Sequence, residues 1–191
     1  MTASRLQDAL AAKARVWGGW VVGPTVLAPE EFAQAGYDYV GFDVQHGYLS
    51  DADVALMLRR LEHVPIATAV RLPTADAAPI GRVLDAGADA VIIAMVESAA
   101  QAAAAVAATR YAPAGVRSFG PLRASMGLDP ADLQARVSVF AMVETARGLA
   151  AIDELCAVDG VTGGYVGPAD LAIPMGPGPA DAWPPPEARD A

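Results

Sequence analysis

Short apolar runs alternate with segments of helical periodicity along most of this chain. The apolar runs are near-continuous in Val, Ile, Leu, Phe, Tyr and Ala, which predicts buried β-strands rather than strands with one wet face. The predicted strands span residues 16–22, 37–44, 65–72, 90–96, 137–143 and 161–166. The predicted helices between them span residues 29–35, 50–61, 74–86, 98–108 and 145–158.

Local signals mark the ends and the inner faces of these helices. Ser50 followed by Asp53 has the pattern of a capping box, and Gly36 and Gly87 come where two helices are expected to end. An irregular segment, residues 111–130, is rich in Gly, Pro and Arg. The residues predicted to face the core from three helices are Val54, Leu58 and Leu61; Ile80, Val83 and Leu84; and Leu149, Ile152 and Leu155.

Strict β–α alternation predicts an α/β fold with a parallel sheet. The sheet is either open and doubly wound or closed into a (β/α)8 barrel of the TIM type. No G-x-G-x-x-G follows the first strand, which disfavours a dinucleotide-binding sheet. Polar residues instead follow several strands directly, as in the active site of a barrel. We therefore predict one TIM (β/α)8-type domain over residues 1–191, with about six of the eight β/α units present. Residues 174–191 form a Pro-rich tail in which Pro184 begins a further helix.

Composition excludes several classes of protein. The chain has 191 residues, a net charge of −9 and a pI near 4.5, which argues against a nucleic-acid-binding face. The single cysteine, Cys156, excludes an intrachain disulfide and a cysteine-rich zinc site, and its apolar helical surroundings predict a buried thiol. Neither a signal peptide nor a membrane span is predicted, so we expect a cytoplasmic protein with no membrane partner.

Two acids stand after predicted strands that are neighbours in a barrel. Glu144 follows residues 137–143, and Asp170 follows Gly167-Pro168-Ala169. Two carboxylates without nearby Cys or His favour a hard divalent cation that retains open positions. The alternative is that each acid caps the helix that follows it. The two together favour the cation.

A basic residue and a His–Asp pair complete the candidate chemistry. Arg71 ends an apolar strand, where its guanidinium fork either binds a substrate carboxylate or forms an internal salt bridge with Glu144 or Asp170. His46 follows Asp43 by three positions, and an Asp can orient a His that acts as a general base. The alternative for His46 is an ordinary loop residue.

Five motifs together resemble a known family. FDVQHG, AVRLP, YAPAGVRSFG, AMVETARGL and VGPADL occur in that order. They are similar to motifs of the HpcH/HpaI aldolases, the class II pyruvate-dependent aldehyde-lyases. The resemblance implies a homo-oligomeric barrel, trimeric or hexameric, that uses Mg²⁺, Mn²⁺ or Co²⁺ to cleave 4-hydroxy-2-oxo acids to pyruvate and an aldehyde.

The resemblance also implies roles for individual residues. Glu144 and Asp170 match the metal ligands, Arg71 the arginine that binds the pyruvate carboxylate, and His46 the base, oriented by Asp43. The backbone of Ala169 and Asp170 matches a contact to the same carboxylate. Lys13 is the only lysine and precedes the first strand, which disfavours a Schiff base.

Three departures from the family pattern leave alternatives open. Met142 stands where many members have Gln, Gln45 stands where many have Glu, and members continue for about another quarter of their length, so the chain is expected to be truncated at its C-terminus. Two alternatives to the aldolase function stay open. One is a CoA-thioester lyase like the citrate lyase β group, and the other is a non-catalytic fragment that binds metal and oxo acid. Arg117 and Arg123 either face a second substrate group or are solvated.

Overall fold

The computed structural model describes residues 5–13, 15–25 and 27–176. The helix predicted to begin at Pro184 lies outside these ranges. The strands are β1 (Gly18–Val21), β2 (Tyr39–Asp43), β3 (Ala67–Leu72), β4 (Ala90–Ile93), β5 (Ser138–Val143) and β6 (Gly163–Val166). The helices are α1 (Arg5–Ala12), α2 (Ala28–Gln34), α3 (Asp51–Arg60), α4 (Ala77–Asp85), α5 (Ala99–Thr109), α6 (Pro130–Ala135), α7 (Ala146–Ala150), α8 (Ile152–Cys156) and α9 (Pro168–Met175).

The strands form one parallel sheet in sequential order, from β1 to β6. A doubly wound sheet reverses its strand order at a switch point, and this sheet has no such reversal among the described residues. The α/β class is therefore confirmed and the doubly wound alternative is excluded. The described residues supply six strands, and eight-stranded closure stays a prediction.

The sheet curls toward closure. Trp20 on β1 and Tyr165 on β6 stack with ring centroids 6.2 Å apart, although their strands lie at opposite edges of the sheet. Two inward side chains can meet in this way only if the sheet bends round an interior. The fold is thus a partial barrel, in which β1 and β6 each pair with one strand among the described residues.

Successive side chains along each strand point alternately to the outer face of the sheet, which packs under the helices, and to the interior of the partial barrel. Outward residues such as Val40, Phe42 and Val70 are fully buried under the helices, together with Leu58 of α3. The interior is lined by smaller side chains, and Trp20, Tyr39, Phe140 and Tyr165 pack against them. The buried interior residues are Leu6, Ala67, Ala69, Ala90, Ile92, Ala94 and Met142.

Close approach of a ring explains a glycine in β2. A Cβ added to Gly41 would lie 2.2 Å from the Trp20 ring, so the ring occupies the space beside Gly41 of the neighbouring strand. Small residues on β2 and β3 thereby leave interior space for an aromatic ring beside the end of β3.

The N-terminal helix α1, which the apolar pattern did not indicate, covers the interior where the strands begin. Leu6 of α1 is buried in the interior cluster. Arg5 donates a hydrogen bond to the carbonyl of Val64, and Nε2 of Gln7 donates to the carbonyl of Ala135 at 3.0 Å. Both carbonyls precede strands, so α1 lies at the amino ends of the strands.

Most predicted helix features are confirmed. The Ser50–Asp53 capping box forms, with the Ser50 N–H donating to Asp53 at 2.9 Å and the Asp53 N–H donating to Ser50 at 3.2 Å. The predicted inner residues of α3 and α4 are buried. The segment 111–130 is irregular except for a 3-10 turn, Ala124–Met126, and the start of α6.

The predicted helix 145–158 was wrong in part. It divides at Ala151 into α7 and α8, so no single helical face runs from residue 145 to residue 158. Leu149, in the five-residue α7, is 40% exposed rather than inward, while Leu155 of α8 is fully buried. Cys156, predicted to be a buried thiol, is exposed because the adjacent Leu155 takes the inward position.

No helix among the described residues combines the length and apolar character that crossing a bilayer requires.

Candidate functional site

The carboxyl ends of the strands bring the predicted polar residues to one end of the interior. Asp43 and Arg71 are neighbours in the β2–β3 register, and Glu144 directly follows β5. Asp170 lies in the first turn of α9 after β6, and His46 lies in the loop after β2. The site is therefore built from four β/α units.

Arg71 is held from several sides. Its Nε donates to Oδ1 of Asp43 at 3.0 Å, and its Nη2 donates to Oδ2 of the same carboxylate. The guanidinium lies over the Trp20 ring, 5.4 Å from its centroid, and Nη1 lies 4.0 Å from Sδ of Met142. The alternative considered from the sequence, a salt bridge from Arg71 to Glu144 or Asp170, was wrong in its partner, because the β2–β3 register places Asp43 beside Arg71. Further donors on Nη1 and Nη2 are left to bind a substrate carboxylate.

Asp43 holds the loop that carries His46 through the main chain. Its Oδ1 accepts hydrogen bonds from the N–H groups of Gln45 and His46, each at 3.0 Å. Burial pushes the pKa of Asp43 upward, but hydrogen bonds from Arg71, His46 and Gln45 outweigh it and lower the pKa below its ordinary value. Asp43 is therefore an anion that orients Arg71 and this loop, while the His46 side chain is exposed.

Glu144 is the most deeply buried acid of the site, at 1% exposure. Its Oε1 accepts a hydrogen bond from the Met95 N–H at 2.7 Å, whereas its Oε2 is buried and has no hydrogen-bond partner among the described residues. Burial raises the pKa of Glu144. The Met95 N–H lowers that pKa, Asp170 raises it, and Arg71 and His46 lower it. The side chains of Asp170, Arg71 and His46 thus lie within electrostatic range of one carboxylate.

A glycine lets β6 approach Glu144 closely. A Cβ added to Gly167 would lie 2.8 Å from Cβ and 2.9 Å from Oε2 of Glu144, and 2.7 Å from Cε of Met142. Gly167 leads directly into α9, whose first turn contains Ala169 and Asp170. N–H groups of a first turn have no carbonyl partner in their own helix, so those of Ala169 and Asp170 suit a bound carboxylate.

The residues present fit a hard divalent cation. Oε2 of Glu144 is a buried oxygen without a partner, and a second carboxylate, Asp170, lies within electrostatic range. Two carboxylates leave coordination positions for water and substrate oxygens, as such ions prefer. The part of the chain that the structure describes contains no cluster of three or more His, Cys, Asp or Glu side chains suited to a metal. Among the described residues, Glu144 and Asp170 are therefore the carboxylates that this site offers to such a cation.

We expect Gly167→Ala to weaken Mg²⁺ binding and to destabilise the fold by about 1–3 kcal/mol, the usual cost of overpacking. The new methyl group would displace Glu144, since it would lie within 3 Å of side-chain atoms of both Glu144 and Met142. Gly163→Ala, at the start of β6, is the matched control, because its Cβ would make an ordinary 3.8 Å contact with Phe140. Urea unfolding and calorimetric Mg²⁺ titration test this. Equal effects of the two substitutions would contradict it.

Two arginines considered from the sequence lie away from this site. The Arg117 side chain is fully buried, donates to Asp85 at 2.8 Å and stacks over Tyr111 at 4.8 Å. Arg123 donates to the carbonyl of Leu58. Asp85 ends α4, which places Arg117 near the amino ends of the strands. Both expectations for Arg117, a substrate contact and full solvation, were therefore wrong, because the loop packs it against the helices.

Three site residues escaped sequence reasoning: Trp20, Met95 and Gly167. Trp20 had a weak signal, since a large ring opposite a glycine in a neighbouring strand indicates close packing. Met95 had none, because its contribution is a backbone N–H. Gln45 has a buried Oε1 without a partner among the described residues, and the structure gives no physical account of it.

Known proteins resemble this chain in sequence over most of its length. A family model described as HpcH/HpaI aldolase/citrate lyase matches residues 17–181. The chain is 40% identical over 164 residues to a hydroxypyruvate/pyruvate aldolase of Rhizorhabdus wittichii, covering 84% of this chain and 65% of the relative. It is 42% identical over 164 residues to a 4-hydroxy-2-oxovalerate aldolase of Novosphingobium aromaticivorans, covering 83% of this chain and 63% of that relative. The chain thus spans slightly less than two thirds of the length of either relative.

Two solved structures resemble this chain in fold. An HpcH/HpaI aldolase/citrate lyase family protein from Burkholderia cenocepacia matches with a TM-score of 0.83 at 30% identity, over 98% of this chain and 77% of that one. A citrate lyase beta subunit from M. tuberculosis, complexed with oxaloacetate and magnesium, matches with a TM-score of 0.50 at 27% identity, over 93% of this chain and 70% of that one.

Proposed function

The chain belongs to the HpcH/HpaI aldolase/citrate lyase family, and on this premise we propose that it cleaves 4-hydroxy-2-oxo acids to pyruvate and an aldehyde with a divalent cation. The observation that carries the proposal is the buried, unpartnered Oε2 of Glu144 within range of Asp170, Arg71 and His46. The relative named a 4-hydroxy-2-oxovalerate aldolase supports the substrate class. The magnesium complex of the citrate lyase beta subunit supports the use of a divalent cation.

Each residue has a part in this reaction. Arg71 binds the substrate carboxylate through the donors that Asp43 does not use, and the N–H groups of Ala169 and Asp170 bind the same group. Glu144 and Asp170 would hold Mg²⁺, Mn²⁺ or Co²⁺, which when bound supplies positive charge for the oxygen that becomes negative as the carbon–carbon bond breaks.

The cleavage moves one proton and one electron pair. His46 takes the proton of the C4 hydroxyl, the C3–C4 bond breaks, and C4 becomes the aldehyde carbonyl. The electron pair of that bond remains with the three-carbon half as an enolate, which becomes pyruvate when C3 takes up a proton. His46 is suited to this exchange because it is exposed at the open end of the site.

A covalent imine route has no residue to support it. Lys13 is the only lysine of the chain, and it pairs with Asp38, which precedes β2. This places the amine at the amino ends of the strands, opposite to Arg71 and Glu144.

We expect pyruvate release from a 4-hydroxy-2-oxo acid to stop after chelation and to return with added Mg²⁺, Mn²⁺ or Co²⁺. Full turnover in chelator would overturn the proposal. Calorimetry with Mg²⁺ and pyruvate distinguishes the alternatives, because binding without turnover indicates a non-catalytic fragment. Turnover of a CoA thioester in place of the free oxo acid would indicate the citrate lyase type of reaction.

A further inference from the structure

Met95, directly after β4, has an unusual backbone conformation. Its φ is +55°, and it is the one non-glycine residue with positive φ among those the structure describes. The left-handed region is unfavourable for a residue with a Cβ, so a surrounding structure must hold it there.

The two neighbours of Met95 supply that restraint. The Ala94 N–H donates to the carbonyl of Leu72 at 3.0 Å, and the Val96 N–H donates to the carbonyl of Met142 at 3.2 Å. Ala94 and Val96 are buried, at 4% and 2% exposure, whereas the Met95 side chain is 46% exposed. The chain is therefore fixed to β3 on one side and to β5 on the other, and the Met95 side chain itself contributes little packing.

The turn directs the Met95 N–H to Oε1 of Glu144, at 2.7 Å. A carboxylate held at one oxygen is restricted in rotation about its terminal bond. The other oxygen, Oε2, then lies toward Gly167, whose added Cβ would be 2.9 Å away, and Asp170 follows Gly167 by three residues. The main-chain bond thus selects which oxygen is available beside Asp170.

We propose that Met95 is a positioning residue for Glu144: its left-handed backbone holds Oε1 and leaves Oε2 to a divalent cation. The inference rests on the proposed function, because it assumes that Glu144 binds the cation. It assigns the role to the backbone conformation, and it therefore predicts that tolerance of positive φ, rather than side-chain character, decides which substitutions are accepted.

The test compares substitutions at one position. Met95→Gly and Met95→Leu need no new conformation and should retain the Mg²⁺ dissociation constant. Met95→Val, which is β-branched and poorly tolerated at positive φ, should weaken Mg²⁺ binding about 10- to 100-fold, the usual effect of losing a partner that orients a ligand. Leu56→Val, on an exposed position of α3, is the matched control and should leave binding unchanged.

Calorimetric Mg²⁺ titration of each folded variant is the primary measurement, with kcat and KM for pyruvate release beside it. Equal Mg²⁺ affinity of Met95→Val and wild type would overturn the inference while leaving the proposed function intact. If Met95→Val does not fold, loss of Mg²⁺ affinity in both Met95→Gly and Met95→Leu would overturn it instead. Absence of Mg²⁺ binding and turnover in the wild type would overturn the proposed function first, and this inference with it.

Discussion

Glu144→Gln is expected to reduce pyruvate release by at least about 10³-fold, the loss that several kcal/mol of transition-state stabilisation represents. The amide keeps the shape of the side chain and can still accept the Met95 hydrogen bond. It removes the negative charge at Oε2, so the cation loses a ligand while the packing remains. Retention of turnover would contradict the proposed cation site.

The same substitution is expected to stabilise the cation-free protein at neutral pH. Because the folded pKa of Glu144 lies above its ordinary value of 4.5, the folded state binds the proton more tightly than the unfolded state. Stability therefore falls as pH rises above about that value, and the Gln variant lacks this penalty. Its Tm in chelator should exceed that of wild type at pH 7, and the difference should vanish in acid. Glu154→Gln, at an exposed position of α8, should change neither Tm nor turnover.

Arg71→Ala is expected to lose both substrate binding and about 3–5 kcal/mol of stability, the range for breaking a buried ion pair on one side. Asp43, at 2% exposure, would keep its charge without its guanidinium partner. Arg82→Ala is the matched control. The Arg82–Asp51 pair has a similar length, 3.0 Å, but Arg82 is half exposed, and exposed pairs contribute about 0–1 kcal/mol.

The pH dependence of unfolding gives this prediction a second measurement. The folded pKa of Asp43 is lowered, so its contribution to stability is present above the ordinary pKa of 3.8 and is lost as pH falls below it. Urea unfolding of wild type should show this loss in acid, and Arg71→Ala should show a smaller one. Similar losses of stability in Arg71→Ala and Arg82→Ala at neutral pH would contradict the buried pair.

Sequence periodicity predicted the sheet well because the central strands, β2 to β5, are buried on both faces and read as apolar runs. The strand ends were less predictable. The fourth run was expected to reach Val96, but β4 ends at Ile93 because Met95 turns toward Glu144. The end of strand pairing at Ile93 is a tertiary effect, and the local sequence pattern does not predict it.

The candidate site residues could be found from the sequence because they interrupt apolar runs at one end of the sheet. Their mutual contacts could not. The Asp43–Arg71 pair depends on the register of β2 and β3, which brings these two residues opposite each other. The stacking of Trp20 on Arg71 depends on Gly41, which leaves the ring space to cross a strand. Roles assigned by residue type alone missed both.

The strands of the sheet lie in the order of the sequence, so the site is complete only when the last described strand, β6, has paired with β5. Asp43 and Asp170 lie far apart along the chain, and contacts of such long sequence separation form late and slowly. Gly167 must dock against Glu144 before Asp170 can approach it, so the sixth strand completes the ligand pair. We expect a chain in which the sixth strand has not docked to keep the Asp43–Arg71 pair and to lack cation affinity. On the proposed function, we expect cation titration to report the docking of the sixth strand, which helix content does not measure.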